Sequence, residues 1–381
     1  RYTDSGKLHI TYNGKTCAYV DIDFMESDFP QWVFDAEWQP PEAQGFREPV
    51  LTEPDDASKV LLDILARPNI ASKEWIARQY DHEVQGTSVI KPLVGKDRDV
   101  FSDAAVIRPV LNSTQGLAAS QALLPTYSKI DTYNMVACTI DEAIRRVLAV
   151  GGDPDHIGGV DNFCWPNIQY HPGKNPDGKH KAAQLVRANW ALRDTCLAYQ
   201  VPLLSGKDSM YVDGHLKGKY GEEHKVSALC TLQFTSTSLI PDISKCVTMD
   251  AKFAGDLVYV LGITRDELGG SEYYEHFNEI GLNVPEVAPD EFMRCYSALN
   301  KTIKDELVAS VHGIYRGGLG IHLSLIAMGG GLGMDIDLSK VPTENLTRND
   351  KILYSESAGR FIVTIDPRNQ EPFENLFKDI P

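Results

Sequence analysis

The sequence predicts an α+β protein in two units, an α/β-like unit followed by an α+β unit. Three observations predict it. A helix with one apolar face is written near 140–150, where Ile140, Ala143, Ile144, Val147 and Leu148 recur at the 3.6 period. Short apolar runs at 257–261 and 361–365 read as strands, and strand-like and helical segments alternate along the chain. With 381 residues, 43% of them hydrophobic, the chain can bury two cores.

The elements follow in order. Asn13-Gly14 between the runs 8–12 and 16–20 predicts a β-hairpin. A lone hairpin is not stable in water, so 1–25 reads as the tail of a preceding domain. Residues 26–55, rich in Pro, Asp and Glu, read as a linker. The first unit is placed at 56–222. It opens with a short amphipathic helix at 56–66 stopped by Pro68. A further helix at about 181–199 carries Leu185, Ala188, Leu192, Cys196 and Leu197, and 201–204 reads as a buried strand. The polar, Gly-containing stretch 212–224 reads as a boundary. The second unit is placed at 223–381, with a helix following Gly317-Gly318, and reads as trimmed at its C-terminal end.

A net charge of -16 leaves no excess for a basic face, which argues against nucleic acid as a partner. No apolar run approaches the length of a membrane-spanning helix and the start carries no signal-peptide pattern, so no membrane partner is expected. Seven scattered cysteines without a C-x-x-C pair fit reduced thiols in the cytoplasm. On so acidic a chain, a bound phosphate would depend on metal ions and backbone N–H groups.

Ser205-Gly206-Lys207-Asp208-Ser209 has a glycine, a cation, a carboxylate and a hydroxyl in sequence. It is not a P-loop, because Val201 and Asp208 stand where that loop needs Gly and Ser or Thr. A turn on a surface loop and a phosphate site fit it equally. Asp103 enters an apolar run and could offer a carboxylate to a metal, though a solvated Asp beside a strand is the simpler reading. Glu142 lies off the apolar stripe of its helix, where surface exposure is the default. Asp161-Asn162-Phe163-Cys164-Trp165-Pro166 could frame a nucleotide or cap a core. Three glycine clusters, at 269–270, 317–320 and 329–333, suit tight packing or an anion at a helix N-terminus; none fits the dinucleotide pattern. No His pair or nucleophile motif supports a protease, esterase or zinc hydrolase.

The order of these strings is more specific than any one of them. Ala71-Ser72-Lys73-Glu74-Trp75, Gln79-Tyr80-Asp81-His82, Asp103-Ala104-Ala105-Val106, Asp141-Glu142-Ala143, Asp161-Asn162-Phe163 and Ser205-Gly206-Lys207-Asp208-Ser209-Met210 follow one another. Leu268-Gly269-Gly270-Ser271, Gly317-Gly318-Leu319 and Ser355-Glu356-Ser357-Ala358-Gly359-Arg360-Phe361 come after. Over roughly 56–366 the chain resembles the second synthetase half of the phosphoribosylformylglycinamidine synthase family, of aminoimidazole ribonucleotide synthetase-like fold. The resemblance implies an A domain with nucleotide motifs and a B domain of α+β build, with A domains pairing through a sheet. It implies an ATP- and glutamine-dependent ligase of purine biosynthesis, in which ATP activates the amide oxygen of formylglycinamide ribonucleotide as an iminophosphate that ammonia displaces. The first half, with the family's catalytic His, and the glutaminase are absent from this chain, so the resemblance implies a fragment inactive by itself.

Carried over by position, Asp103, Glu142 and Asp208 match the family's Mg2+ carboxylates. Lys73, Ala104, Gly206 and Ser209 match positions at the phosphates of ATP or ADP, and Glu356 and Ser357 a segment near the substrate. Arg146 departs from the pattern, since the family often has Asn there and Arg cannot ligate Mg2+. Lys207-Asp208 agrees with the large form of the enzyme, whose second half is implied to hold ADP structurally. A silent, scaffolding nucleotide site is therefore the second reading beside a catalytic half.

Overall fold

The computed structural model describes residues 1–27, 31–79 and 82–380. Tyr80 and Asp81 of the Gln79-Tyr80-Asp81-His82 string lie outside the described residues. The elements in chain order are β1 (Lys7–Tyr12), β2 (Lys15–Asp21), α1 (Ile22–Glu26), α2 (Ala57–Leu65), α3 (Glu74–Ala77), β3 (Ser88–Ile90), β4 (Leu93–Val94), β5 (Val100–Phe101), β6 (Ala105–Ile107), β7 (Gly116–Leu123), α4 (Thr132–Ala149), β8 (Ile157–Cys164), α5 (Gly178–Ala198), β9 (Leu203–Ser209), β10 (Asp213–Lys217), β11 (Glu223–Ser227), β12 (Thr231–Ile240), β13 (Leu257–Leu261), α6 (Glu272–His276), α7 (Pro289–Lys304), β14 (Ser310–Gly313), α8 (Gly318–Gly330), α9 (Asn349–Tyr354), β15 (Phe361–Ile365) and α10 (Gln370–Leu376).

The leading hairpin forms where Asn13-Gly14 places it. Both turn residues have positive φ, 49° and 76°, which joins two right-twisted antiparallel strands. The stretch after it is docked. Trp38 stacks on His180 at the start of α5, with centroids 5.1 Å apart, and lies under the Arg187 guanidinium farther along that helix at 4.3 Å. Farther on, Glu48 accepts hydrogen bonds from the Tyr274 hydroxyl and the Leu282 N–H, both 2.7 Å, in the second unit.

The first unit is a six-stranded sheet in the order β3-β6-β7-β12-β8-β9, antiparallel except for β8 beside β9. One face is covered by α4, with α5 packed beside it. Residues on β7 and β12 alternate strictly between buried and more exposed, the signature of a sheet with one covered face. The second unit is a three-stranded antiparallel sheet, β13-β15-β14, with α7 packed on β15 through Tyr296 against Phe361 and α8 beside β14.

Four expectations change. The boundary placed between 222 and 223 does not separate the sheets. Residues 212–224 belong to the β10–β11 hairpin and the chain returns as β12, an interior strand of the first sheet, before leaving it at Ile240. The helix at 56–66, counted with the first unit, packs instead on the second: Val60 and Ile64 join Leu268, Tyr273, Tyr274, Ile321 and Tyr354 in a separate cluster. The strand at 201–204 is an edge strand starting at Leu203, so Leu203 and Leu204 are exposed rather than buried. Glu142 is buried, because α4 is covered on its polar side by β14 and α7.

Candidate functional site

Where the two units meet, the segment 67–73, the starts of α6 and α8, and the 355–357 turn come together around two carboxylates. Glu272 opens α6, with Ser271 capping the helix by accepting from the Tyr274 N–H. It accepts from Arg67 Nε at 2.5 Å, Asn69 Nδ2 at 2.9 Å and Arg316 at 2.5 Å. Burial alone would raise its pKa, but Arg316, Arg67 and Asn69 outweigh burial and hold it below the ordinary Glu range.

Glu356 is sealed in behind it. One oxygen accepts from the Gly317 N–H at 2.7 Å and the Glu272 N–H at 2.9 Å, the other from Tyr127 Oη at 2.5 Å. Here burial wins over Arg316, and the carboxyl is pushed above its ordinary value. The free N–H at the start of α8, which the glycines suggested for an external anion, is taken by this internal one. Gly317 and Gly318 both have positive φ, and a Cβ on Gly318 would lie 2.7 Å from the Ser355 carbonyl oxygen. Ser357 spends its hydroxyl on the Arg265 backbone, accepting from its N–H at 2.9 Å. At the edge of this cluster Lys73 Nζ donates to the Ala71 carbonyl at 2.6 Å, and partial burial lowers its pKa while the nearby Glu272 works the other way.

A second polar cluster lies between α4 and β14. Asp103 is buried and accepts three hydrogen bonds: from Tyr315 Oη at 2.6 Å, His312 Nδ1 at 2.8 Å and the Gly313 N–H at 3.0 Å. Burial raises its pKa, yet His312, Tyr315 and Gly313 outweigh it and hold it low. Glu142 Oε1 accepts from Arg146 Nη2 at 2.7 Å and Nε at 3.0 Å, and the Arg146 guanidinium lies over the Tyr315 ring at 4.0 Å. Ala104, next to Asp103, is buried.

Asp208 and its neighbours sit elsewhere. Gly206, Lys207, Asp208 and Ser209 form the exposed end of β9, in parallel register with β8. A Cβ on Gly206 would come 2.8 Å from Asp161 Oδ1, so glycine lets that carboxylate approach the strand. Asp161 is raised by partial burial and then by the Asp208 charge. Lys207 Nζ contacts the Ser209 hydroxyl.

Asp103 and Glu142 thus share the surroundings of Arg146, whereas Asp208 pairs with Asp161. Among the described residues no three His, Cys, Asp or Glu side chains are arranged to hold a metal ion. Mg2+ requires oxygen ligands in near-octahedral order with room for water. Asp103 has both oxygens occupied and Glu142 carries a guanidinium, so this pair does not fit that ion. Arg67, Tyr127, Glu272, His312, Tyr315 and Arg316 were not singled out from the sequence. Most of their partners lie far along the chain, for example Glu272 with Arg316 at 44 positions and Tyr127 with Glu356 at 229, and no local spacing marks them.

Among known proteins, the family model "AIR synthase related protein, C-terminal domain" matches residues 254–380. The phosphoribosylformylglycinamidine synthase subunit PurL of Alkaliphilus metalliredigens is 32% identical over 99% of this chain and 47% of its own length. That of Methanothrix thermoacetophila is 33% identical over 97% of this chain and 45% of its own length. The structure of T. maritima PurL complexed with FGAR superposes with a TM-score of 0.61 at 16% identity, covering 86% of this chain and 48% of that one. AaThiL complexed with AMPPCP and TMP gives 0.51 at 14% identity, covering 81% of this chain and 89% of that one. Both likenesses show the shared fold. The chain spans about half the length of the curated relatives it matches, and over nearly all of its own length it is similar to the phosphoribosylformylglycinamidine synthase subunit PurL.

Proposed function

We propose that the chain is the second synthetase half of a phosphoribosylformylglycinamidine synthase, a cytoplasmic ligase converting formylglycinamide ribonucleotide to formylglycinamidine ribonucleotide with ATP and glutamine. Within it the chain serves as a silent half that holds ADP or ATP without turnover and scaffolds the half that reacts. The resemblance assigns Lys73, Ala104, Gly206 and Ser209 to the nucleotide phosphates and Glu356 and Ser357 to the substrate, although the chain by itself holds the first four at separate places, Lys73 near Glu272, Ala104 buried beside Asp103, and Gly206 and Ser209 on β9. Catalysis by the whole assembly rests on the other half and on a glutaminase that supplies ammonia. Mg2+, which the resemblance assigns to Asp103, Glu142 and Asp208, finds no fit at the first two.

The observation that carries the scaffold reading is the uncovered face of the first sheet. On β6, β7 and β12 it presents Ile107, Leu117, Ala119, Gln121 and Leu123, then Gln233, Thr235, Thr237 and Leu239, all uncharged, while Lys207 on the edge strand β9 shares the face. An uncharged central area of this extent suits pairing with a like sheet, either the other half or a second copy. Sedimentation velocity tests it: self-association of the chain, lost in Ala119→Arg, is expected. A monomer at all concentrations that also fails to bind the remaining half refutes the scaffold role. The nucleotide is tested by mass spectrometry of what the purified, denatured chain releases. ADP retained by the wild type and lost in Lys73→Met is expected, and steady ATP hydrolysis by the chain alone overturns the silent reading.

A further inference from the structure

Asp103 and Glu142 are both engaged from within the chain. Glu142 meets Arg146, one helical turn along α4, through two hydrogen bonds to one oxygen. Asp103 has both oxygens taken by the second unit, through Tyr315 Oη at 2.6 Å, His312 Nδ1 at 2.8 Å and the Gly313 N–H at 3.0 Å. The His312 ring is held in place from behind: its Nε2 lies 2.8 Å from His322 Nδ1, and His322 Nε2 lies 3.1 Å from the Arg316 carbonyl.

We infer that Arg146 supplies the positive charge that a divalent metal would otherwise bring to Glu142, while hydrogen bonds from the second unit occupy both oxygens of Asp103. This place takes no metal ion and instead fastens the two units together. A guanidinium is held covalently and stays charged, so the charge balance does not depend on the metal concentration. The polar contacts are also the inter-unit contacts. Asp103 precedes β6 in the first unit while His312, Gly313 and Tyr315 belong to the second, and Arg146 reaches from α4 onto Tyr315. The neighbouring Arg145 repeats the arrangement, bonded to Asp141 at 2.7 Å on its own helix and to the Ile314 carbonyl at 2.7 Å across the junction. From the proposed function the inference takes only the place where a metal would sit.

The experiment is a Mn2+ titration of the full chain, without nucleotide, followed by the electron paramagnetic resonance of the free ion. The wild-type isotherm is expected to be the same in Glu142→Gln. Arg146→Asn, or Arg146→Gln if the first does not fold by circular dichroism, is expected to gain one site. Its affinity should exceed that of the wild type by about 10–100-fold, the range over which the groups around metal ligands act. Adding Glu142→Gln to the Arg146 variant should remove the site again. A wild-type Mn2+ site abolished by Glu142→Gln overturns the inference, and so do folded Arg146 variants that bind Mn2+ no better than wild type. ADP retention is read separately: its failure refutes the nucleotide reading and leaves the Mn2+ outcome standing.

Discussion

Replacing Glu272 by glutamine removes one charge and keeps the shape of the side chain. Its side chain is fully buried and joins Arg67, Asn69 and Arg316, so it ties the segment after α2 to the second unit. Removing one partner from a buried ion pair costs about 3–5 kcal/mol. Arg67 keeps about a quarter of its side-chain surface in water and can be partly resolvated. The expected loss at pH 7 is therefore about 2–3 kcal/mol, below that full range. The pH dependence gives a sharper check. A Glu whose folded pKa is depressed contributes stability that is fully present above its unfolded pKa, about 4.3, and is lost as pH falls through the folded value. Urea unfolding of wild type and Glu272→Gln at pH 7, 5 and 3.5 measures both. The difference should be constant between pH 7 and 5 and shrink by pH 3.5. A difference under about 1 kcal/mol at pH 7, or one that persists undiminished at pH 3.5, would refute the assignment of the charge to these two arginines.

Glu356→Gln should behave oppositely: its folded pKa is raised, so ionisation opposes folding as pH climbs past the unfolded value, and the variant should gain on wild type between pH 4 and 7 in the same urea series. Gly318→Ala combines a positive φ with a backbone clash at the Ser355 carbonyl, and a loss of at least about 2 kcal/mol by urea unfolding is expected. Arg145→Met leaves Asp141 with only the Tyr199 and Tyr296 hydroxyls, and unfolding should show a loss of about 3 kcal/mol. Thiol titration with an aromatic disulfide should modify the exposed Cys17 at once and the buried Cys138, Cys230 and Cys295 only on unfolding. Rapid native labelling of Cys138 would contradict its burial.

The fold was legible wherever one periodicity met one environment. The strands β13 and β15 and the apolar stripe of α4 follow directly from their patterns. The same helix shows why Glu142 was misjudged. Periodicity divides a helix into an apolar face and a wet face, but α4 has no wet face over most of its length. Its second side is covered by β14 and α7, and Asp141, Glu142 and Arg145 are buried there in pairs. For 201–204 the error ran the other way, because an apolar run reads as buried while burial of a strand needs neighbours on both edges. In β12 only Leu232, Phe234, Leu239 and Ile240 are apolar among threonines and serines, so the polar hairpin before it looked like the end of the unit. The anion for the α8 glycines was 39 residues away in Glu356, a separation that no local pattern spans.

These misreadings share a cause in α4. One stripe of the helix answers to the sheet through apolar packing, and the other answers to the second unit through charge. Hydrophobic packing tolerates small slips in register, whereas Asp141 meeting two tyrosyl hydroxyls and Arg145 meeting the Ile314 carbonyl fix orientation to hydrogen-bond precision. The charged stripe therefore sets the angle between the units while the apolar stripe supplies the bulk of the burial. A carboxylate locked into that task is poorly suited to ligating an exchangeable ion, because each ligand rearrangement would also disturb the junction. The internal cation at Arg146 removes that conflict, on a helix that packs against both units.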